Sequence, residues 1–255
     1  MTKFNKGTVT LVGAGPGDPE LLTIKGLKAI EKADVILYDA LINPVLLDHN
    51  PTAQKIFVGK RRGFLNKKQV EINELIVKLA NKGLDVVRLK GGDPLVFGRA
   101  CEELEVAKKA FIPTEIIAGI ASYTGIAAQH QIPLTKRGEH ESFWVVTGHT
   151  QNAKLSSDIS LAAQSTATVV VLMGMRFLAE IVDIFKQFNN GDYPVAVIQN
   201  GTTSAEKSLL ADLDTITDLV KQHQIDNPSV LIFGQAAADP VTHYKNLVKE
   251  KALAL

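Results

Sequence analysis

A single cysteine, Cys101, occurs in 255 residues, so an intramolecular disulfide framework and a cysteine-clustered zinc or iron–sulfur site are both excluded. Thiol redox chemistry goes with them. Histidine is equally sparse: the six stand at 49, 130, 140, 149, 223 and 243. None forms an i, i+4 pair and no H-E-x-x-H occurs, so no metal site is expected. Long apolar runs are missing as well. The longest are stretches such as Thr168 to Met173, far short of the about 18 residues that span a bilayer. The segment Met1 to Gly7 lacks the apolar stretch of a signal peptide, and a cytoplasmic protein with no membrane partner is expected. Neither sign of charge dominates, since 28 Lys and Arg stand against 27 Asp and Glu for a net charge of +1. That balance gives no global field for nucleic acid, and any anionic partner must be met locally. What is present is a globular composition, 45% apolar and 22% charged without a biased tract, which excludes disorder, collagen-like repeats and a coiled coil.

Short β-branched runs alternate with helical patterns along the first half. Strands are expected at Thr8–Val12, Asp34–Leu37, Lys55–Val58, Asp85–Leu89 and Thr114–Ile117, with helices at Glu20–Lys32, Lys67–Asn81 and Val96–Ala110. Such a series predicts a mainly parallel sheet. After the turn-rich segment Gln131–Glu141 the pattern restarts with strands Phe143–Thr147, Thr168–Leu172, Val195–Ile198, Lys207–Leu210 and Ser229–Phe233 and helix Phe177–Phe188. The expected fold is therefore α/β: two α/β domains, 1–133 and 134–255, with mainly parallel or mixed sheets. The boundary is set near Pro133, where a rigid φ, a flexible glycine and charge mix. A cleft between the two domains is the default ligand site.

Two loops echo one another. Strand Val9–Val12 runs into Gly-Ala-Gly-Pro-Gly-Asp-Pro (13–19), and strand Val86–Leu89 runs into Lys-Gly-Gly-Asp-Pro (90–94). Glycine supplies backbone freedom, Asp18 or Asp93 can accept the N–H groups of a coming helix, and Pro19 or Pro94 suits its first turn. Two well-capped βα turns would explain this much. Gly13, Gly15 and Gly17, with Asp39 about 20 residues on, also invite a dinucleotide reading. In G-x-G-x-x-G the third small residue would stand at position 18, where this chain has Asp18. A carboxylate there opposes a bound diphosphate, and no Walker Gly-Lys-Ser/Thr follows. A phosphate-free ligand that needs close backbone approach remains, with an adenosine bearing a sulfonium among the candidates.

The chain also carries Val-Gly-Ala-Gly-Pro-Gly-Asp-Pro-Glu-Leu-Leu-Thr (12–23), Tyr-Asp (38–39), Val-Gly-Lys-Arg (58–61), Val-Arg-Leu-Lys-Gly-Gly-Asp-Pro (87–94) and Phe-Gly-Arg-x-x-Glu-Glu (97–103). Ile-Pro-Leu-Thr (132–135), Val-Thr-Gly-His (146–149), Met-Gly (173–174) and Asn-Gly-Thr-Thr (200–203) follow in order. With these nine motifs the chain resembles the uroporphyrinogen-III C-methyltransferases from Val9 to about Gly234. The resemblance implies a two-domain class III methyltransferase, usually a homodimer. Its members move methyl groups from S-adenosylmethionine to C2 and C7 of uroporphyrinogen III, giving precorrin-2 for sirohaem or cobalamin synthesis and S-adenosylhomocysteine as by-product. It further implies cofactor contacts at Pro16, Gly91, Gly92, Asp93, Val96, Ala121, Ser122, Met173 and Gly201. Asp39 and Lys60 would form the acid/base pair, with Arg99, Glu102 and Arg137 at the substrate. Another tetrapyrrole methyltransferase, or a binding module that holds S-adenosylmethionine without turnover, would share much of this pattern.

The residue types suit such roles independently of the resemblance. A substrate with eight carboxylates calls for guanidinium and ammonium groups. Lys60, Arg61, Arg62, Arg88, Lys90, Arg99, Lys136 and Arg137 supply them beside strands or in the interdomain segment. Individually, Arg61, Arg62 and Lys136 also read as ordinary solvated turn residues. Attack by an electron-rich carbon on an activated methyl depends on positioning more than on strong bases, yet a proton must still leave the macrocycle. Asp39, ending an apolar strand, suits its acceptance if partly buried, and suits a loop cap equally. Arg99 and Glu102, at i, i+3, can pair with one another. Met173 by its type belongs in a core, and the resemblance alone moves it to the cofactor. The chain departs from the family pattern at Ile-Ala-Gly-Ile-Ala-Ser (117–122), where Val-Pro-Gly-Ile-Thr-Ser is usual. It departs again at Ala40 in place of Arg, at Ala100-Cys101 in place of Gly-Gly, and at Glu206-Lys207 in place of Gln-Arg.

Overall fold

The computed structural model describes residues 6–59 and 69–238. The chain divides into two units, Met1–Gly125 and Ile126–Leu255. The division falls inside the helix Ser122–His130, and the turns around Pro133 belong to the second unit.

In the first unit, β1 (Val9–Gly13), β2 (Val35–Tyr38), β3 (Gln54–Phe57), β4 (Val86–Lys90) and β5 (Thr114–Ile117) form one sheet in the order β3-β2-β4-β1-β5. Every pairing in it is parallel. Because side chains alternate across a strand, the buried residues sort into two cores. Val9, Leu11, Val35, Leu37 and Val86 pack with α2 (Gln69–Ala80) and α3 (Ala100–Lys109). Val12, Ile36, Val87 and Leu89 pack on the opposite face with Ile30 of α1 (Ile24–Lys32) and with Leu46 and Leu47 of the 3-10 segment Pro44–His49. The second unit is mixed. β6 (Phe143–Thr147) and β7 (Thr168–Leu172) run parallel, whereas β10 (Ser229–Phe233), β8 (Pro194–Gln199) and β9 (Lys207–Asp212) continue the sheet antiparallel. Its core gathers α5 (Asp158–Ala163), α6 (Leu178–Lys186) and α7 (Ile216–Gln222) around Phe185. The Phe185 and Phe233 rings stack with centroids 4.2 Å apart.

Two expected helices begin later than composition suggests. Asp18 caps only a 3-10 turn, Pro19–Leu21, accepting from the Glu20 N–H at 2.9 Å. α1 starts afresh with Thr23 as its own cap, whose hydroxyl accepts from Gly26 N–H at 3.1 Å. The helix expected from Val96 begins at Ala100, because Phe97 and Arg99 hold left-handed backbone at φ 52° and 57° and cannot join a right-handed helix. Asp93 therefore caps no helix. The helix Ser122–His130, here α4, was not expected, since its apolar residues do not recur at helical spacing. α5 and α7, of six and seven residues, are too short to impose a pattern.

Replacing Phe185 by alanine is expected to cost about 3–5 kcal/mol, read as a lower urea midpoint by circular dichroism. An unchanged midpoint would show that the stacked aromatic pair does not centre this core.

Candidate active site

From the carboxyl ends of the neighbouring strands β1 and β4 the chain leaves toward opposite faces of the sheet, to α1 and to α3. Such a divergence opens a crevice at the strand ends, where open α/β sheets place ligands. The two glycine loops meet there. Gly92 N–H donates to Gly15 O at 2.7 Å, Gly15 N–H to Gly92 O at 3.3 Å, and Ala14 N–H to Lys90 O at 2.8 Å. Approach this close tolerates no side chain: a Cβ on Gly13 would lie 2.5 Å from the Gly119 Cα and 2.7 Å from the Gly92 oxygen. Gly92 itself is left-handed at φ 67°, a backbone that disfavours a side chain, and a Cβ there would lie in van der Waals contact with the Ser122 nitrogen at 3.5 Å and the Ala121 Cα at 3.9 Å.

The remaining residues of this edge are held by backbone contacts. Asp93 braces two loops, Oδ1 accepting from Leu95 N–H at 2.8 Å and Oδ2 from Gly119 N–H at 3.0 Å. Val96 N–H donates to Asp93 O at 3.2 Å. A Cβ on Gly125 would lie 2.7 Å from Pro16 Cγ, so α4 seats directly on the first loop. Pro16, Gly91, Gly92, Asp93, Val96, Ala121 and Ser122 are thereby assembled on loops after β1, β4 and β5. Ala121 is buried, and its carbonyl accepts from the Thr124 hydroxyl at 2.8 Å.

Beside the glycines lies a charged cluster that sequence reasoning saw only in part. Arg88 and Lys90, expected among the cations that meet substrate carboxylates, are 5% and 4% exposed. Two apart on β4, they point to one face, and Glu103 from the first turn of α3 enters between them, fully buried. Its Oε1 accepts from Arg88 Nε at 3.2 Å, from Lys90 Nζ at 3.1 Å and from Gln69 Nε2 at 3.1 Å, and its Oε2 from Lys90 Nζ at 2.9 Å. Arg88 Nη1 donates to Leu89 O at 2.8 Å, while Nη2 reaches Asp39 Oδ2 at 3.4 Å. The other Asp39 oxygen accepts from Leu41 N–H at 3.0 Å, so Asp39 is a loop cap and a partly buried carboxylate at once. Arg88 gives Asp39 the cationic neighbour that Ala40 does not. The signal for Glu103 was the pair of adjacent glutamates after Phe-Gly-Arg, of which only Glu102 drew attention.

Arg99, left-handed, binds Glu102 bidentately through Nε and Nη2, both at 2.7 Å, with each side chain about half exposed. The hydrogen bonds to Glu102 raise the Arg99 pKa, and the same bonds hold the Glu102 carboxyl below the usual range. Lys60, Arg61 and Arg62 lie outside the described residues. In the second unit, Arg137 is exposed in the turn closed by Lys136 and His140. Met173 is not a core residue: it follows β7 with φ 57°, 41% exposed, and its carbonyl faces His149 Nδ1 at 3.1 Å. A bulky residue in that backbone region is strained, a mark of sites rather than of packing. Gly201 is flanked by left-handed Asn200 and Thr202, and a Cβ on it would collide with Ile126. Glu206 closes that turn, with Oε2 accepting from Thr202 N–H at 2.8 Å and Oε1 lying 2.9 Å from His130 Nε2.

Residues 8–217 match the family described as Tetrapyrrole (Corrin/Porphyrin) Methylases, and the chain belongs to it. The chain is 44% identical over 232 residues to the uroporphyrinogen-III C-methyltransferase of Methanocaldococcus jannaschii, a match spanning 90% of this chain and 96% of that protein. To the siroheme synthase of Nitrosomonas europaea it is 39% identical over 234 residues, spanning 91% of this chain and 49% of that longer one. The structure of uroporphyrin-III C-methyl transferase from Thermus thermophilus, complexed with S-adenyl homocysteine, aligns at a TM-score of 0.78 and 34% identity, over 91% of this chain and 99% of that one.

Substituting Asp93 by alanine removes the acceptor of two backbone N–H groups and is expected to cost about 1–3 kcal/mol. Amide exchange at Leu95 and Gly119 should accelerate while the β7 and β10 amides stay protected. Unchanged exchange at Gly119 would remove Asp93 as the brace of these loops.

Proposed function

We propose that this chain is an S-adenosylmethionine-dependent C-methyltransferase that converts uroporphyrinogen III to precorrin-2 by methylation at C2 and C7. The observation that carries the reading is the pair of hydrogen-bonded glycine bends, backed by Gly119, with a carboxylate at Asp18 where a diphosphate site needs a positive helix end. It is joined by the likeness to uroporphyrinogen-III C-methyltransferases over nearly their whole length. The backbone cradle suits the donor, because the left-handed bend at Gly92, beside the Ser122 nitrogen, carries no side chain to hold a ligand off the backbone. Pro16, Gly91, Gly92, Asp93, Val96, Ala121 and Ser122 hold it, and the family resemblance assigns Met173 and Gly201 to the same donor. When bound, S-adenosylmethionine supplies a methyl group already activated by positive sulfur.

The chain's own residues then have modest tasks. Arg99, oriented by its two bonds to Glu102, engages a substrate carboxylate, and Arg137 another. Asp39 takes the proton that leaves the macrocycle, its Leu41 bond fixing the carboxylate and Lys60 completing the pair. The reading includes a homodimer, which rests on the family resemblance, and the cytoplasm. For the latter, the single cysteine and the absence of a membrane-crossing helix among the described residues speak in its favour.

Anaerobic incubation with uroporphyrinogen III and labelled S-adenosylmethionine should yield singly and then doubly methylated product by mass spectrometry. Binding of the donor without transfer would instead identify a non-catalytic module. Arg99→Ala should keep affinity for S-adenosylhomocysteine and lose about 10- to 100-fold in kcat/KM, the worth of a charged hydrogen bond. Undiminished turnover would take Arg99 out of the substrate site.

A further inference from the structure

The cluster around Glu103 is buried more deeply than a structural role alone requires. An all-apolar β4 with apolar partners would be as stable or more so, because taking the three charges of Arg88, Lys90 and Glu103 out of water costs several kcal/mol per ion before pairing restores it. What the ions gain is a fixed arrangement one bond away from Asp39. Arg88 is held at Nε by Glu103, at Nη1 by Leu89 O and, more distantly, by Leu37 O at 3.5 Å. Only Nη2 turns toward Asp39, on a single contact of 3.4 Å, longer than the about 2.7–2.9 Å of a strong charged pair.

We propose that Glu103 is a positioning residue for Asp39: by gripping Arg88 at Nε and Lys90 at Nζ, it restrains the guanidinium from closing bidentately on Asp39. The Asp39 carboxylate is thereby left able to take a proton. This deepens the reading of Asp39 as the proton acceptor and rests on it. Among the described residues the charged groups facing Asp39 are Arg88 and Lys90 from β4 and Glu103 from α3 behind them, and Tyr38 on its own strand packs edge-on against Phe57. Burial, and then the charge of Arg88, lower the Lys90 pKa, while Glu103 opposes both. Removing Glu103 alone would lower the Lys90 pKa further and mask the effect, so the test begins from a background without that lysine.

Lys90→Met substitutes an apolar chain of similar volume, a replacement buried ion pairs often tolerate. It removes a cation near Asp39, and the acid limb of the kcat–pH profile should move to higher pH. Adding Glu103→Gln in that background leaves Arg88 with Asp39 as its remaining carboxylate. The limb should then fall by about one pH unit relative to Lys90→Met, with a several-fold lower plateau and an unchanged KM for S-adenosylmethionine. Coincident acid limbs in the single and double variants overturn the proposal, as does a loss of activity with no movement of the limb. If circular dichroism shows the double variant unfolded, Glu103→Asp decides: it keeps the charge beside Lys90 and shortens the reach to Arg88 Nε, so the acid limb should fall below that of the wild type, and an unmoved limb overturns the proposal. Asp39→Asn separates the two readings. Should it retain the wild-type limb, Asp39 is not the proton acceptor; should it abolish the limb while the Lys90 and Glu103 variants leave it in place, the Glu103 proposal alone fails.

Discussion

Three backbone bends meet so closely that Gly13 and Gly119 have no room for a side chain, and the chemistry of the first unit is arranged around that constraint. Gly13, Gly92 and Gly119 end or follow β1, β4 and β5, and the hydrogen bonds between Gly15 and Gly92 lock two of the bends together. Because the strands are parallel and adjacent, their ends arrive at one edge in register. The divergence of β1 toward α1 and β4 toward α3 then opens a crevice at that edge. Asp93 spends its carboxylate on the Leu95 and Gly119 amides, an internal use that makes the loop after β5 follow the loop after β4. A site built this way is specified by backbone shape, so the place proposed for Ala121 does not depend on the hydroxyl usual in the family.

The second layer is electrostatic. On β4, Arg88 and Lys90 occupy the face that Val86 begins, where an apolar residue would extend the core. The burial of both cations is tolerable because Glu103 offers each an oxygen and Gln69 supplies a further donor. The cost is met in the carboxyl-terminal half of β4, from Arg88 to Lys90, beside Asp39. That location ties the cluster to the site rather than to the stability of the sheet.

Much of this was legible in the sequence because it is written in local rules. Phe143–Thr147, Thr168–Leu172 and Ser229–Phe233 coincide with their strands, since uninterrupted β-branched runs bounded by turns have few alternatives. The glycine loops were legible as bends but not as a pair, because the bonds joining Gly15 to Gly92 connect positions distant in the chain. Helix starts were misplaced where Pro19 and Pro94 read as first-turn residues yet open a 3-10 turn and a left-handed loop. The antiparallel half of the second sheet was hidden because strand direction depends on which strands become neighbours. Arg88 and Lys90 read as cations for substrate carboxylates, since nothing nearby in sequence reveals a glutamate arriving from α3.

Glu206, standing where the family commonly has Gln, carries a consequence for its partner. Its Oε2 accepts from the Thr202 amide and from Gln129 Nε2 at 3.0 Å, and its Oε1 faces His130 Nε2. An ionised carboxylate can only accept, so His130 presents Nε2–H toward it. A glutamine in the same place would keep its oxygen on Thr202 and Gln129 and turn its amide NH₂ to the histidine, which would then have to accept through Nε2. The two residue types thus demand opposite roles of the same ring nitrogen while preserving the turn that carries Gly201. With Glu206 the turn is held by charge-assisted bonds to α4, so this departure from the family pattern alters how the turn is tied down and leaves its backbone path intact.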